Sequence, residues 1–155
     1  MRLILVLDDD LAALRVGDPA QDIIVKAEAM AEATPVPHPP QKTALVLTTM
    51  RKFAARFREP GFRVAYSRLD DPGTGHSLPA ELLRRMAETG ADQVVVTTPG
   101  DWRLLSALQD VPLRLHLLPD DRILCPPQVF AAWAADRKSL RMEWFYHDMR
   151  RRTAC

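Results

Sequence analysis

The chain has 155 residues, 47% of them apolar and 26% charged, the composition of an ordinary globular domain with one sizeable core. Its 21 Lys and Arg residues nearly balance 20 Asp and Glu, and a formal net charge of +1 does not favour nucleic acid, membrane or an acidic substrate as partner. Cys125 and Cys155 form no CxxC pair and no zinc-ligand pattern, which excludes a disulfide framework. Because neither a membrane-helix pattern nor a signal peptide is present, we expect a cytoplasmic protein without membrane partners.

Short apolar runs alternate with amphipathic segments along the chain. The runs are aliphatic and β-branched, as expected of parallel strands buried on both faces, and they cover residues 3–7, 23–25, 62–66, 93–97 and 113–118. Helical patterns cover residues 42–58, 79–88, 101–108, 127–136 and 140–152. This alternation predicts an α/β fold, a Rossmann-like five-stranded parallel sheet flanked by helices, with two further helices at the carboxyl terminus.

The longest helical pattern follows a proline-rich segment. Four prolines within residues 35–40 require an extended chain, so we expect a loop that enters the helix at Gln41. The helix has the 3.6-residue apolar stripe of an amphipathic helix, formed by Leu45, Val46, Met50, Phe53, Ala54 and Phe57.

Two segments carry the most specific information. Residues 142–153 read Met-Glu-Trp-Phe-Tyr-His-Asp-Met-Arg-Arg-Arg-Thr, and residues 97–103 read Thr-Thr-Pro-Gly-Asp-Trp-Arg. Together with Met50-Arg51, the Leu-Asp-Asp-Pro-Gly of residues 69–73 and the Trp-Ala-Ala of residues 133–135, they resemble the iron–sulfur bacterial cryptochromes and photolyases. These are also called photolyase-related proteins or bacterial (6-4) photolyases. The resemblance extends over nearly the whole chain.

The resemblance implies a division of the chain into two parts. Residues 1–126 correspond to an antenna α/β domain, and residues 127–155 to helices that lead toward a flavin domain. The chain ends at Cys155, where the family's run continues, so we expect FAD and the iron–sulfur cluster only in full-length relatives. An iron–sulfur cluster usually needs four cysteine ligands, and this chain has two. The family belongs to the DNA photolyases, which are DNA repair lyases, but we assign this chain neither catalytic residues nor a metal site and expect no catalysis by it alone.

A chromophore site is implied at one edge of the sheet, because ligands of open parallel sheets bind outside the carboxyl ends of the strands. In the resembled family this region helps to bind an antenna chromophore, 6,7-dimethyl-8-ribityllumazine. The matching positions are Leu7, Asp8, Asp9, Asp10, Glu28, Met30, Glu32, Thr98 and Trp102. Asp9, Glu28 and Glu32 retain the family's carboxylates, whereas Asp8 replaces a Gly, Asp10 a Gln and Thr98 a Glu. A solvated acidic loop on a vestigial pocket is the alternative.

The last helical pattern suggests an interface. An apolar stripe with flanking Trp144 lies where relatives adjoin the flavin domain, and its candidate residues are Met142, Trp144, Phe145, Tyr146 and Met149. A second hypothesis is therefore a protein interaction module, a split or truncated subunit that docks on a flavin-domain partner or associates with itself. Three arginines follow at residues 150–152, but such a charge run is usually a solvated helix face, so nucleic-acid binding by this chain alone is not favoured.

A remote alternative rests on the three aspartates after the first strand. Carboxylates at this place suit Mg²⁺, as in a two-component receiver domain, and the Leu-Asp-Asp-Pro-Gly of residues 69–73 is similar to the end of a receiver's third strand. Against a receiver, residues 117–127 contain no lysine. The four histidines are scattered and suggest neither a metal helix nor a catalytic triad.

Overall fold

Five parallel strands form a sheet in the part of the chain that the structure describes. The computed structural model describes residues 1–7, 15–29, 31 and 38–153. The strands are β1 (Arg2–Leu5), β2 (Ile23–Ala27), β3 (Arg63–Ser67), β4 (Gln93–Thr97) and β5 (Leu115–Leu118). The predicted α/β fold with a five-stranded parallel sheet is confirmed.

Helices connect or follow these strands. They are α1 (Pro40–Arg58), α2 (Leu78–Thr89), α3 (Trp102–Gln109), α4 (Pro127–Ala134) and α5 (Met142–Thr153). The side chain of Ser77 caps α2 by accepting a hydrogen bond from the backbone N–H of Ala80, and Asp101 caps α3 in the same way through Arg103. The two predicted carboxyl-terminal helices, α4 and α5, are thus present.

The strand order is β3-β2-β1-β4-β5, and each neighbouring pair is parallel. This is the order of a Rossmann sheet, whereas a receiver domain has its third strand at the centre. Here β3, which is followed by residues 69–73 of the receiver hypothesis, is an edge strand. The receiver-like magnesium-binding alternative is therefore wrong, because the topology separates β3 from β1.

Both faces of the sheet are buried, as the continuous apolar runs predict. Alternate positions of β1, β2 and β4 point to opposite faces. One face packs against Leu82 of α2 and Leu108 of α3. The other face, which includes Ile4 and Ile24, packs against Phe57 of α1. The sheet is thereby covered by helices on both sides, the arrangement that an all-parallel sheet requires.

The apolar stripe of α1 is buried only in its second half. Ala54 and Phe57 are buried, but Leu45 is 67% exposed and Val46 43% exposed. A helix of 19 residues is about 28 Å long, whereas a five-residue strand spans about 16 Å. Since α1 is longer than the strands it covers, its first turns have no sheet beneath them. The periodicity predicted the helix correctly, but it could not show where the sheet ends.

The chain divides into two compact units, Met1–Leu118 and Pro119–Cys155. The first contains the sheet with α1, α2 and α3, and the second contains α4 and α5. Within the second unit, Phe145 packs edge-to-face on Phe130 and Trp133, with ring centroids 5.1 Å and 5.0 Å away. The assignment of residues 1–126 to an antenna domain remains a prediction.

Candidate functional site

The strand order reverses between β1 and β4. From β1 the chain adds β2 and β3 on one side, then crosses to the other side for β4 and β5. Connections that leave two adjacent strands in opposite directions open a crevice at the strands' carboxyl ends, where ligands of doubly wound sheets bind. Leu7 follows β1 and Thr98 follows β4, so both lie at this switch point.

Four of the predicted chromophore-site residues lie in the part of the chain that the structure describes. Within that part, these four residues form no hydrogen bonds with one another. Leu7 is half-buried against the core cluster that faces α2. Thr98 donates from both its backbone N–H and its hydroxyl to the carbonyl oxygen of Leu118, at 2.8 Å and 2.7 Å. Trp102, the first residue of α3, is 74% exposed. The fourth is Glu28, and the predictions for Asp8, Asp9, Asp10, Met30 and Glu32 lie outside the described residues.

Glu28 follows β2 directly and is only 2% exposed. Its carboxylate accepts four hydrogen bonds. Arg51 donates from Nε at 2.6 Å and from Nη2 at 2.9 Å, the Tyr66 hydroxyl donates at 2.7 Å, and the backbone N–H of Leu69 donates at 3.1 Å. A carboxylate has about four acceptor sites, so these partners occupy its full capacity.

The charges around Glu28 stabilise its ionised form. Burial alone would raise the pKa of this carboxyl, but the hydrogen bonds from Arg51, Tyr66 and Leu69 outweigh burial and hold the pKa below its ordinary value. Burial, and then the hydrogen bond donated to Glu28, raise the pKa of the Tyr66 hydroxyl. The hydrogen bond to Glu28 raises the pKa of Arg51, which stays a cation. The cluster is therefore an ionised, fully bonded support that ties α1, β2 and β3 together.

Sequence reasoning missed the partners of Glu28 and also missed Lys26. Lys26 lies on the same face of β2 as Glu28 and is fully buried, with Nζ 5.5 Å from the ring centroid of Phe53. A lysine inside the apolar run of residues 23–27 was the available signal, because fully buried lysines are rare. For Arg51 the signal was its place in the quoted Met50-Arg51 pair.

The segment between β3 and α2 is anchored to both neighbouring elements. Near its start, the N–H of Leu69 binds Glu28, and near its end the N–H of Gly75 donates to Glu81 at 3.4 Å. Glu81 is buried, and it accepts further hydrogen bonds from the Ser67 hydroxyl and from Nε of Arg84 and of Arg85, the last two at 3.0 Å. Gly75 packs so closely that a Cβ there would lie 2.7 Å from the Cβ of Ala80. These contacts hold the backbone beside the carboxyl edge.

The residues do not fit the family's iron–sulfur cluster. The sequence holds two cysteines where a cluster usually needs four thiolate ligands. Within the described residues, three or more His, Cys, Asp or Glu side chains do not come together as a metal site. No helix in the described part of the chain combines the length and hydropathy needed to cross a membrane.

The fold is an open α/β domain whose strand order reverses between β1 and β4, and comparisons with known proteins add the family. Residues 3–155 match the model of the deoxyribodipyrimidine photo-lyase-related protein family. The chain is 39% identical over 160 residues to a (6-4) photolyase of Agrobacterium fabrum (strain C58 / ATCC 33970), covering 98% of this chain and 32% of that protein. The chain therefore belongs to the photolyase-related protein family and spans about a third of this relative's length.

The fold of the chain is also similar to that of a solved structure. It is the crystal structure of a protein from the universal stress protein family from Burkholderia pseudomallei, with a TM-score of 0.47 and 21% identity. The match covers 76% of this chain and 96% of that one.

Proposed function

We propose that this chain is an antenna-type domain of a photolyase-related protein, which binds 6,7-dimethyl-8-ribityllumazine and is not catalytic alone. The observation that carries the proposal is the reversal of strand order between β1 and β4 in a member of this family. Ligands of such sheets bind at this point, where β1 leads into Leu7 and β4 into Thr98. Asp9 follows Leu7 by two positions in the sequence, and Trp102 follows Thr98 by four. The chromophore would absorb light, and the chemistry would belong to a flavin domain.

The predicted site residues take different roles in this proposal. Asp9 provides a carboxylate beside the crevice for the polar edge or the ribityl hydroxyls of the ligand. Trp102 offers an exposed aromatic face for the planar ring. Glu28 does not contact the ligand in this proposal. Its acceptor sites are occupied by Arg51, Tyr66 and Leu69, so a ligand would have to displace one of them. We therefore assign Glu28 to positioning the edge rather than to contact with the chromophore.

Titration of the purified chain with the lumazine, followed by its fluorescence, tests the proposal. We expect saturable binding that Asp9→Asn and Trp102→Ala weaken by about tenfold, the loss of roughly one good contact. Asp136→Asn and Trp144→Ala are matched controls, because both residues belong to the second unit, whereas the proposed site is built from residues of the first. Absence of saturable binding would overturn the proposal, and equal losses in test and control variants would show that the site lies elsewhere.

A second candidate function is docking through α5 on a flavin-domain partner. Met142 is 72% exposed and Tyr146 57% exposed, and Trp144 is also exposed. Exposed apolar patches of several hundred Å² commonly mark interfaces. The (6-4) photolyase relative is about three times as long as the region it shares with this chain, which is consistent with a partner domain.

The interface test should alter only exposed residues of α5. Phe145 packs on Phe130 and Trp133, so a charge there would disturb the second unit itself. Met142→Glu with Tyr146→Glu avoids this fault, and Ile123→Glu with Leu124→Glu is the matched control because both residues are exposed in the same unit. The readouts are mass in solution and binding to the part of the Agrobacterium fabrum relative that this chain does not match. We expect association lost only in the α5 variant, and no association of the unaltered chain would exclude this function.

A further inference from the structure

A pocket lies between α1 and the edge strand β3, away from the switch point between β1 and β4. Its volume is about 220 Å³. The residues that line it come from α1 and from the end of β3 and the turn after it, and they are Arg51, Ala54, Arg58, Tyr66, Arg68 and Asp71. Three of these six side chains are guanidinium groups, which is a high proportion for so small a space.

The spacing on α1 creates the basic wall of this pocket. Arg51, Ala54 and Arg58 stand at positions i, i+3 and i+7, so they share one face of the helix. Ala54 is buried between two arginines and has no side-chain atom beyond Cβ. A larger residue at this position would fill the space that the guanidinium groups border. Helix periodicity and one small residue thus produce a concave surface lined with positive charge.

The guanidinium group of Arg51 is held in place before any ligand binds. Glu28 accepts from Nε and Nη2 of Arg51, and Nη1 is not used by this carboxylate. Because Glu28 is buried and accepts from Tyr66 as well, the guanidinium and the phenol ring have fixed relative positions. Fixed donors bind an anion with a smaller entropy cost than mobile ones.

The other two guanidinium groups have uncommitted donors. Neither Arg58 nor Arg68 has a side-chain hydrogen bond or ion pair with any residue that the structure describes. One carboxylate, Asp71, also lines the pocket, and its Oδ2 accepts from the backbone N–H of Arg68 at 2.8 Å. Three cations are therefore opposed by Asp71 in the pocket and by Glu28 beneath it, which leaves one positive charge in excess.

We propose that this pocket binds a phosphoryl group carried by a small molecule. Arginine presents planar pairs of N–H donors that match phosphate oxygens, and several guanidinium groups around one cavity favour phosphate over a carboxylate, which has only two oxygens. The volume lies below the roughly 300 Å³ of the smaller drug-sized sites, so it accommodates the phosphoryl group while the rest of the ligand remains outside. The site is independent of the chromophore site proposed above.

The test is a titration of the isotopically labelled chain with inorganic phosphate, followed by NMR at constant ionic strength with chloride as the balancing anion. We expect saturable shifts of the backbone amides of Tyr66, Arg68 and Leu69. The pocket variant is Arg58→Gln with Arg68→Gln. The matched control is Arg56→Gln with Arg63→Gln. It removes the same charge, one arginine from α1 and one from β3, and neither residue lines the pocket.

Affinity for phosphate should fall by about tenfold or more in the pocket variant and by less than about twofold in the control. Equal losses in both variants, or shifts that chloride reproduces, would overturn the proposal, because they would indicate general attraction of anions to a basic surface. Competition then separates two sources of the same group. Ribose 5-phosphate should displace inorganic phosphate, whereas displacement only by a single-stranded oligonucleotide would contradict a small-molecule ligand.

Discussion

Arg51 on α1 donates two hydrogen bonds to the carboxylate of Glu28 at the end of β2, one to each oxygen, at 2.6 Å and 2.9 Å. The pair is asymmetric, because the Glu28 side chain is fully buried whereas the Arg51 side chain is 45% exposed. It fixes α1 against the carboxyl edge of the sheet. Arg51 also lines the pocket between α1 and β3, so the pair holds one guanidinium of that proposed phosphate site in place.

Replacing Glu28 by Gln should lower the free energy of unfolding by about 1–3 kcal/mol, the usual cost of leaving buried polar groups poorly paired. The amide of Gln keeps the shape but provides one acceptor oxygen in place of two, so several of the four donors lose their partner. Urea denaturation measures the loss. Glu59→Gln, an exposed residue just after α1, is the control and should change stability by less than about 0.5 kcal/mol. Equal stability of both variants would show that Glu28 is not a support.

Stability should decrease as the pH falls through the acid range. Hydrogen bonds hold the pKa of Glu28 and of Glu81 below their ordinary values despite burial, which acts in the opposite direction. At a pH near the ordinary pKa of a glutamate, about 4.3, these two carboxyls therefore bind more protons in the unfolded chain than in the folded one. The stabilisation is complete above that pH and is lost as the pH falls through the lower pKa values of the folded state. Urea denaturation over a pH series should show a smaller acid loss for Glu28→Gln than for the unaltered chain. An equal slope for both proteins would contradict this cause.

The strands and the fold class were predictable because their signals are local. Residues 94–97 are all β-branched, and β4 occupies residues 93–97, the positions that were predicted. The Glu28 cluster joins residues that are 23, 38 and 41 positions apart, and only the folded topology brings them together. Sequence similarity could select Glu28 as a site residue, but it could not reveal that Arg51 and Tyr66 occupy its oxygens. The exposure of the first turns of α1 was missed for a related reason, because the periodicity of a helix does not show how far the sheet extends beneath it.

Gly75 should tolerate a side chain far less well than Gly100, although neither has a positive φ. A Cβ at Gly75 would lie 2.7 Å from the Cβ of Ala80 and 2.9 Å from the backbone N of Glu81, whereas at Gly100 it would meet nothing within 4 Å. Gly75→Ala should destabilise the chain by about 1–3 kcal/mol through overpacking. Gly100→Ala should be neutral or slightly stabilising. Thermal unfolding of both variants compares them directly, and similar midpoints would refute the close packing.

Phe145 and Tyr146 are adjacent on α5 but should respond differently to truncation. Phe145 contacts the rings of Phe130 and Trp133, whereas Tyr146 is 57% exposed. Phe145→Ala should destabilise the second unit by about 2–4 kcal/mol, somewhat less than a fully buried Phe. Tyr146→Ala should cost under about 1 kcal/mol. The NMR chemical shift of the Trp133 indole N–H reports on the folding of this unit. A shift to the unfolded position in the Tyr146 variant alone would contradict the claim that Phe145, and not Tyr146, supports this unit.

The most direct test of the antenna proposal is a crystal structure of this chain with 6,7-dimethyl-8-ribityllumazine. The proposal predicts that the ring lies at the carboxyl ends of β1 and β4, against the segment that contains Asp9 and against Trp102, with Glu28 still bound by Arg51 and Tyr66. A ligand bound instead in the pocket of Arg51, Arg58 and Arg68, or on the second unit, would contradict the proposal, because the reversal of strand order would then not determine where the chromophore binds.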